Sequence, residues 1–176
     1  MSKVRADISI SLDGYVAGPN QTMEEPLGEG GERLHDWVVR LKSWRKGAGL
    51  DGGEEGGVDD AVFREVTANV GAEIMGRGKF GPPSRGPWSD DDPWQGWWGD
   101  APPFHKPVFV VTHHPRPPLT LSDTTFTFVT DGIRRALELA REAVGERDVF
   151  IGGGAQIINE FLAAGLLDEL DLHLSP

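Results

Sequence analysis

The residues whose type and spacing most directly suggest chemistry are Ile151-Gly152-Gly153-Gly154-Ala155-Gln156-Ile157. Ahead of the glycines, Asp148-Val149-Phe150-Ile151 reads as a short buried strand. Behind them, Ile157, Ile158, Phe161 and Leu162 share one helical face, and Gly165 sits where that helix would end. Strand, glycines and helix in that order leave backbone N–H groups bare at a helix N-terminus, where no Cβ blocks a close approach. The orphan donors and the helix dipole then favour an anion, most naturally a phosphate. The same glycines also suit a tight strand-to-helix turn in which they only relieve crowding.

Two further strand ends have the character of binding turns. The strand Ala72–Met75 runs into Gly76-Arg77-Gly78-Lys79, which carries two cations, and the apolar run Pro107–Thr112 ends at His113-His114. In a parallel sheet the carboxyl ends of the strands lie along one edge, where ligands bind. A glycine cradle there can hold a pyrophosphate. A cationic turn can pair a further phosphate, such as the 2′-phosphate of NADP, and the planar fork of Arg suits that task. The turns do not spell G-x-G-x-x-G, so the common dinucleotide fingerprint is absent. The first strand ends in Ser11-Leu12-Asp13-Gly14-Tyr15-Val16-Ala17-Gly18-Pro19-Asn20, which either offers groups to a cleft or is an ordinary connection.

These turns need elements to position them. Val4, Ala6, Ile8 and Ile10 alternate as a strand. Residues 33–44 read as one amphipathic helix with Leu34, Trp37, Val38 and Leu41 inward. A flexible, solvated loop is expected near 46–57, and then a helix capped by Asp59 with Val62, Phe63, Val66 and Val70 toward the core. Residues 81–105 read as a long irregular insertion whose Trp88, Trp94, Trp97 and Trp98 pack down as a lid or an oligomer contact. Phe126–Val129 reads as a weaker strand. Asp131 would cap a helix with Ile133, Ala136, Leu137, Ala140 and Val144 inward and Gly145 at its end, and Asp168–Ser175 alternates as a final strand. Alternating strands and helices over 176 residues predict one α/β domain spanning 1–176, a three-layer sandwich around a mostly parallel central sheet.

Composition narrows the partners. Seventeen Lys and Arg against 28 Asp and Glu give a formal charge of -11, which argues against a nucleic-acid binder. The chain has no Cys, which removes disulfides, thiol catalysis and Cys-ligated metals, and no His/Asp/Glu spacing suggests a metal site. No apolar run approaches the roughly 20 residues of a membrane span. Met1–Arg5 leads directly into a strand pattern, so a cytoplasmic protein acting on a small molecule is expected.

Met75–Phe80, the Val110-Val111-Thr112 strand end and Ile151–Ile157 resemble the NADPH-binding segments of the dihydrofolate reductase superfamily. Ser11–Ala17 and Leu166–Leu172 resemble one branch of it, the C-terminal reductase domain of the riboflavin-biosynthesis deaminase/reductase and its stand-alone bacterial relatives. The resemblance implies a dihydrofolate-reductase-like fold and an NADPH-dependent oxidoreductase. Its activity would be similar to 5-amino-6-(5-phosphoribosylamino)uracil reductase or dihydrofolate reductase, the alternative being a nucleotide-binding sensor or interaction module that lacks catalytic groups. It implies that Gly76, Arg77 and Lys79 meet the adenosine-side phosphates, that Thr112 and His113 flank the adenine ribose, and that Gly153, Gly154, Ala155 and Gln156, after Gly152, cradle the pyrophosphate. Ser11, Asp13 and Ala17 would border the nicotinamide and substrate. Lys79 stands where dihydrofolate reductases usually carry Thr. Asp36 is the nearest match to the family's acidic proton donor, and His35 beside it is an equal candidate. Relatives continue through a further strand beyond the position of Pro176, and they are typically dimeric, so a homodimer is expected.

Overall fold

Apolar runs in this chain become strands, and amphipathic runs become the helices that cover them. The structure, a computed structural model, describes residues 2–82, 86–89, 91 and 93–175. In chain order the elements are β1 (Val4–Ser11), a 3-10 turn (Gly31–His35), α1 (Asp36–Val39), α2 (Lys42–Gly47), α3 (Gly57–Thr67), β2 (Val70–Gly76) and α4 (Arg77–Phe80). There follow β3 (Pro107–Val111), β4 (Leu119–Leu121), β5 (Thr124–Val129), α5 (Gly132–Val144), β6 (Asp148–Gly153), α6 (Ala155–Ala163) and β7 (Glu169–Ser175).

The seven strands form one sheet in the order β4-β5-β3-β2-β6-β1-β7. β1 and β6, β6 and β2, β2 and β3, and β3 and β5 pair parallel, while β4 runs antiparallel to β5. The fold is therefore the expected α/β architecture with a mostly parallel sheet. The central strands are buried on both faces, as their unbroken apolar sequences require: Ile74, Met75, Val108, Val110, Val149 and Ile151 are inaccessible to solvent. α5 buries Ala136, Leu137, Ala140 and Val144, the face expected of it.

The chain divides into two units. Met1–Asp7 with Val70–Asp171 form the first, and Ile8–Asn69 with Leu172–Pro176 form the second. β1 and β7 pass from one unit into the other along the chain.

Several local expectations are corrected. Residues 33–44 do not form one helix. Leu41 is extended (φ -70°, ψ 134°) and bridges Glu54, whose carbonyl accepts from Lys42 N–H at 2.7 Å. That pairing breaks the helix between α1 and α2, and it pins a loop expected to be flexible. Gly53 allows it, because a Cβ there would lie 2.8 Å from the Lys42 nitrogen. In β1 the buried residue after Ala6 is Ser9, which accepts a hydrogen bond from the Trp37 indole at 2.9 Å, whereas Ile8 and Ile10 are only half-buried. Asp59 does not cap α3; it pairs with Arg40 at 2.7 Å. Leu162 is exposed, and Ile157, Ile158 and Phe161 carry the buried face of α6 alone. β4 was not expected. Of the insertion at 81–105, residues 83–85, 90 and 92 lie outside the described residues, as do Met1 and Pro176.

Candidate functional site

Three parallel strands, β3, β2 and β6, lie side by side in the first unit. Gly76 is in register with Val111, and Met75 with Gly153. The carboxyl ends of these strands are therefore level, and they bring Gly76-Arg77, Thr112-His113 and Gly152–Gly154 to one edge of the sheet.

The three glycines of the last turn stand in three different settings. Ile74 pairs with Ile151 and Met75 with Gly153, so Gly152 is the extra residue of a bulge. A Cβ on Gly152 would lie 1.9 Å from Glu73 Oε1 and 2.8 Å from Lys79 Nζ. Gly153 has φ +98°, a conformation that side-chain-bearing residues rarely adopt. Its peptide bond to Gly154 is cis. Gly154 has an ordinary φ of -72°, is exposed, and a Cβ on it would meet nothing within 4 Å. It precedes α6, whose N-terminus carries no side-chain cap. Crowding and strain account for Gly152 and Gly153. They do not account for Gly154, which stands beside the uncapped N–H groups of Ala155 and Gln156 in open space. Uncapped N–H groups at a helix start favour an anion.

Lys79 is committed to the turn itself. Its ammonium donates to Glu73 Oε1 at 2.9 Å and to the Gly152 carbonyl at 2.7 Å. Glu73 is 8% exposed and Lys79 32%. The pair braces the bulge from below. Glu73 went unremarked in the sequence, although an acid between Ala72 and Ile74 in an otherwise apolar strand is a signal of a paired, buried charge.

Arg77 lies over the indole of Trp88, its guanidinium carbon 3.7 Å from the ring centroid, and its Nη1 donates to the Pro82 carbonyl at 3.4 Å. Thr112 is buried, its N–H bonded to the Val129 carbonyl and its hydroxyl accepting from His114 N–H at 3.2 Å. His113 is exposed beside it. Gln156 is exposed and donates along α6 to Glu160. Trp88, Trp94 and Trp98 pack against a core of Met75, Phe80, Phe104, Val108, Val110 and Phe126, so these tryptophans seal their own unit.

The second unit holds an open cleft of about 580 Å³. Ser11, Asp13, Tyr15, Ala17, Gly18, Pro19, Glu29, Gly30, Gly31 and Leu34 line it, so Ser11, Asp13 and Ala17, expected to border the nicotinamide and substrate, come together. The loop is knitted locally: Ser11 Oγ donates to Asp13 Oδ1 at 2.6 Å and accepts from Tyr15 N–H at 2.9 Å. Gly18 N–H donates to the Leu27 carbonyl at 2.8 Å, and Glu29 N–H to that of Pro19 at 2.9 Å. Only glycine permits this closure, since a Cβ on Gly18 would lie 2.1 Å from the Glu29 carbonyl oxygen. Asp36 is exposed in the first turn of α1 and His35 half-buried before it, and neither is among the lining residues. Glu29, which the sequence reading passed over, is. Among the described residues no cluster of His, Asp and Glu is arranged for a metal ion, and no helix is long and apolar enough to cross a membrane.

The family model described as the RibD C-terminal domain matches residues 2–176. The chain belongs to that family. Membership implies reductase chemistry of the riboflavin-biosynthesis type at the level of the family. A crystal structure of a provisionally assigned riboflavin biosynthesis protein from Shewanella sp. PV-4 is similar over 97% of this chain and 75% of that one, with 21% identity and a TM-score of 0.50. At that identity the likeness supports the RibD C-terminal fold alone. No curated protein sequence matches the chain.

Proposed function

We propose that this RibD C-terminal domain is an NADPH-dependent reductase. The bound nicotinamide cofactor would supply a hydride from its C4 to the carbon of a C=N or C=O bond, and a proton would complete the new N–H or O–H. The chain's own part is to hold and orient. The N–H groups that follow Gly153 and Gly154, at the start of α6, would take the pyrophosphate, and Arg77 would pair a further phosphate beside Thr112 and His113. Lys79 keeps the bulge in shape through Glu73 and Gly152 rather than by reaching outward.

In the second unit Ser11, Asp13 and Ala17 would border a small heterocyclic or sugar-derived substrate. Asp13 and Glu29 line the cleft and, among the described residues, no Lys or Arg does, which favours a substrate rich in N–H and O–H donors. A homodimer is part of the proposal, supported by Leu172 and Leu174, which are 54% and 67% exposed on the edge strand β7. Light scattering at micromolar concentration should report twice the chain mass; a monomer contradicts that part.

The observation that carries the cofactor reading is Gly154, open to solvent at an uncapped helix start with no structural demand for glycine. Calorimetric titration with NADPH and NADH tests it. NADPH should bind about tenfold or more tightly, the worth of one added charge-assisted contact. Equal binding would remove Arg77 from the reading, and no binding of either would end it. A second reading, a nucleotide sensor without turnover, is favoured by the position of Asp36 outside the cleft lining. Binding with no reduction in a screen of carbonyl and imine substrates would select it.

A further inference from the structure

The loop that walls the cleft of the second unit carries charge of one sign. From Ser11 to Glu32 its charged residues are Asp13, Glu24, Glu25, Glu29 and Glu32, with no Lys, Arg or His among them. Asp13 and Glu29 line the cleft itself. Arg33, the next cation along the chain, is exposed and is not a lining residue. The acids after α2 are treated differently: Glu54, Glu55, Asp59 and Asp60 each pair with a Lys or Arg, at distances between 2.7 and 3.5 Å. Among the described residues, Asp13 and Glu29 have no such partner.

Both carboxylates are tethered through one oxygen. Asp13 Oδ1 accepts from Ser11 Oγ at 2.6 Å, and Glu29 Oε1 accepts from Asn20 Nδ2 at 2.8 Å. The Glu29 N–H also donates to the Pro19 carbonyl at 2.9 Å, so backbone and side chain are both tied across the loop. A carboxylate has about four lone-pair sites, so one such bond leaves most of its accepting capacity to a ligand. A cleft lined by charge of one sign concentrates its field on whatever enters. A cation, or a group rich in N–H and O–H donors, gains there. A phosphate dianion meets like charge with no lining cation to neutralise it. The pyrimidine reductase activity that the family resemblance implies acts on a phosphoribosyl compound, and this cleft is at odds with that one group.

We propose that Asp13 and Glu29 are specificity-determining residues that select an unphosphorylated, amine- or hydroxyl-rich substrate and reject its phosphate ester. The proposal rests on the cleft being the substrate site and not on which cofactor binds. Three forms of one polyol serve as probes: 1-amino-1-deoxyribitol, ribitol and ribitol 5-phosphate, which near neutral pH are a cation, a neutral molecule and a dianion. Each is titrated into the full isotope-labelled chain while the backbone amide signals of Ser11, Asp13, Gly30 and Gly31 are followed by NMR. At low ionic strength the amine should bind about tenfold more tightly than ribitol, the worth of one charge-assisted contact, and the phosphate more weakly than ribitol. About 1 M salt should bring the amine and ribitol together. Glu29→Gln, which keeps an oxygen for Asn20, and Asp13→Asn should each narrow the spread, and the double variant should remove most of it. Glu24→Gln, in the same loop but outside the lining, should leave it unchanged. Ribitol 5-phosphate bound at these signals as tightly as the amine overturns the proposal while the cleft remains a substrate site, and so does a spread that survives the double variant. Signals moved by none of the three probes overturn both the proposal and the substrate reading of the cleft.

Discussion

The turn at 152–154 and the loop at 11–31 both depend on glycine, but they are built against different neighbours. At Gly152 the neighbours are side chains, the Glu73 carboxylate and the Lys79 ammonium. At Gly18 they are backbone, the Glu29 carbonyl above all, with Gly28 pressed in turn on the Gly18 carbonyl oxygen at 2.4 Å from its would-be Cβ. A side-chain brace can be replaced or removed by mutation at a second position. A backbone closure cannot. The first region should therefore tolerate compensated change, and the second should not.

The stability effect that a second substitution can relieve is expected at the side-chain brace. Gly152→Ala pushes a methyl into a buried ion pair and should cost about 2–3 kcal/mol, seen as a fall of roughly 5–10 °C in melting temperature. On a Glu73→Ala background the same substitution should cost less than about 1 kcal/mol, because the carboxylate it would strike is gone. An unchanged cost would show that the brace is not what demands glycine there. Gly18→Ala is expected to cost about 2 kcal/mol in urea unfolding, with no single side-chain truncation among the cleft residues relieving it, since the neighbour struck is main chain. Relief by truncating Glu29 to Ala would erase the distinction between the regions. Lys79→Met is the mildest. It leaves Glu73 buried without its partner, but Lys79 is itself 32% exposed, so about 1–2 kcal/mol is expected rather than the full penalty of a dry ion pair. A neutral Lys79→Met would mean that water replaces the ammonium.

The two regions were also unequally legible. The strand, glycine turn and helix at Ile151–Ile157 could be read from the sequence because the change from strand to helix and the three glycines lie in one local run, and sheet topology set the turn beside the other two strand ends. The turn's support could not. Glu73 and Gly152 are 79 residues apart and meet only because β2 and β6 pair, with a bulge that no local pattern announces. Trp88 reads in the sequence as packing alone, and its contact with Arg116 spans two loops. The helix expected over 33–44 failed for the same kind of reason. Its periodicity is sound, and Leu34, Val38 and Leu41 are all buried, but Glu54 takes Leu41 into a strand-like bridge. Ser9 replaced Ile8 in the inward row because Trp37 offers it a hydrogen bond. In the loop beside the cleft, Gly18 reads in the sequence as part of an ordinary connection, since nothing local says that it packs on Glu29.

The central claim is that Gly154 is glycine for a ligand and not for the fold. Gly154→Val tests it directly, because the backbone at φ -72° accepts a branched residue and a Cβ there meets nothing within 4 Å. The account predicts that this variant melts within a few degrees of the unmodified protein and loses NADPH affinity by on the order of a hundredfold, as a branched side chain occupies the space of the pyrophosphate. A variant that folds and binds NADPH as tightly as the unmodified protein would contradict it.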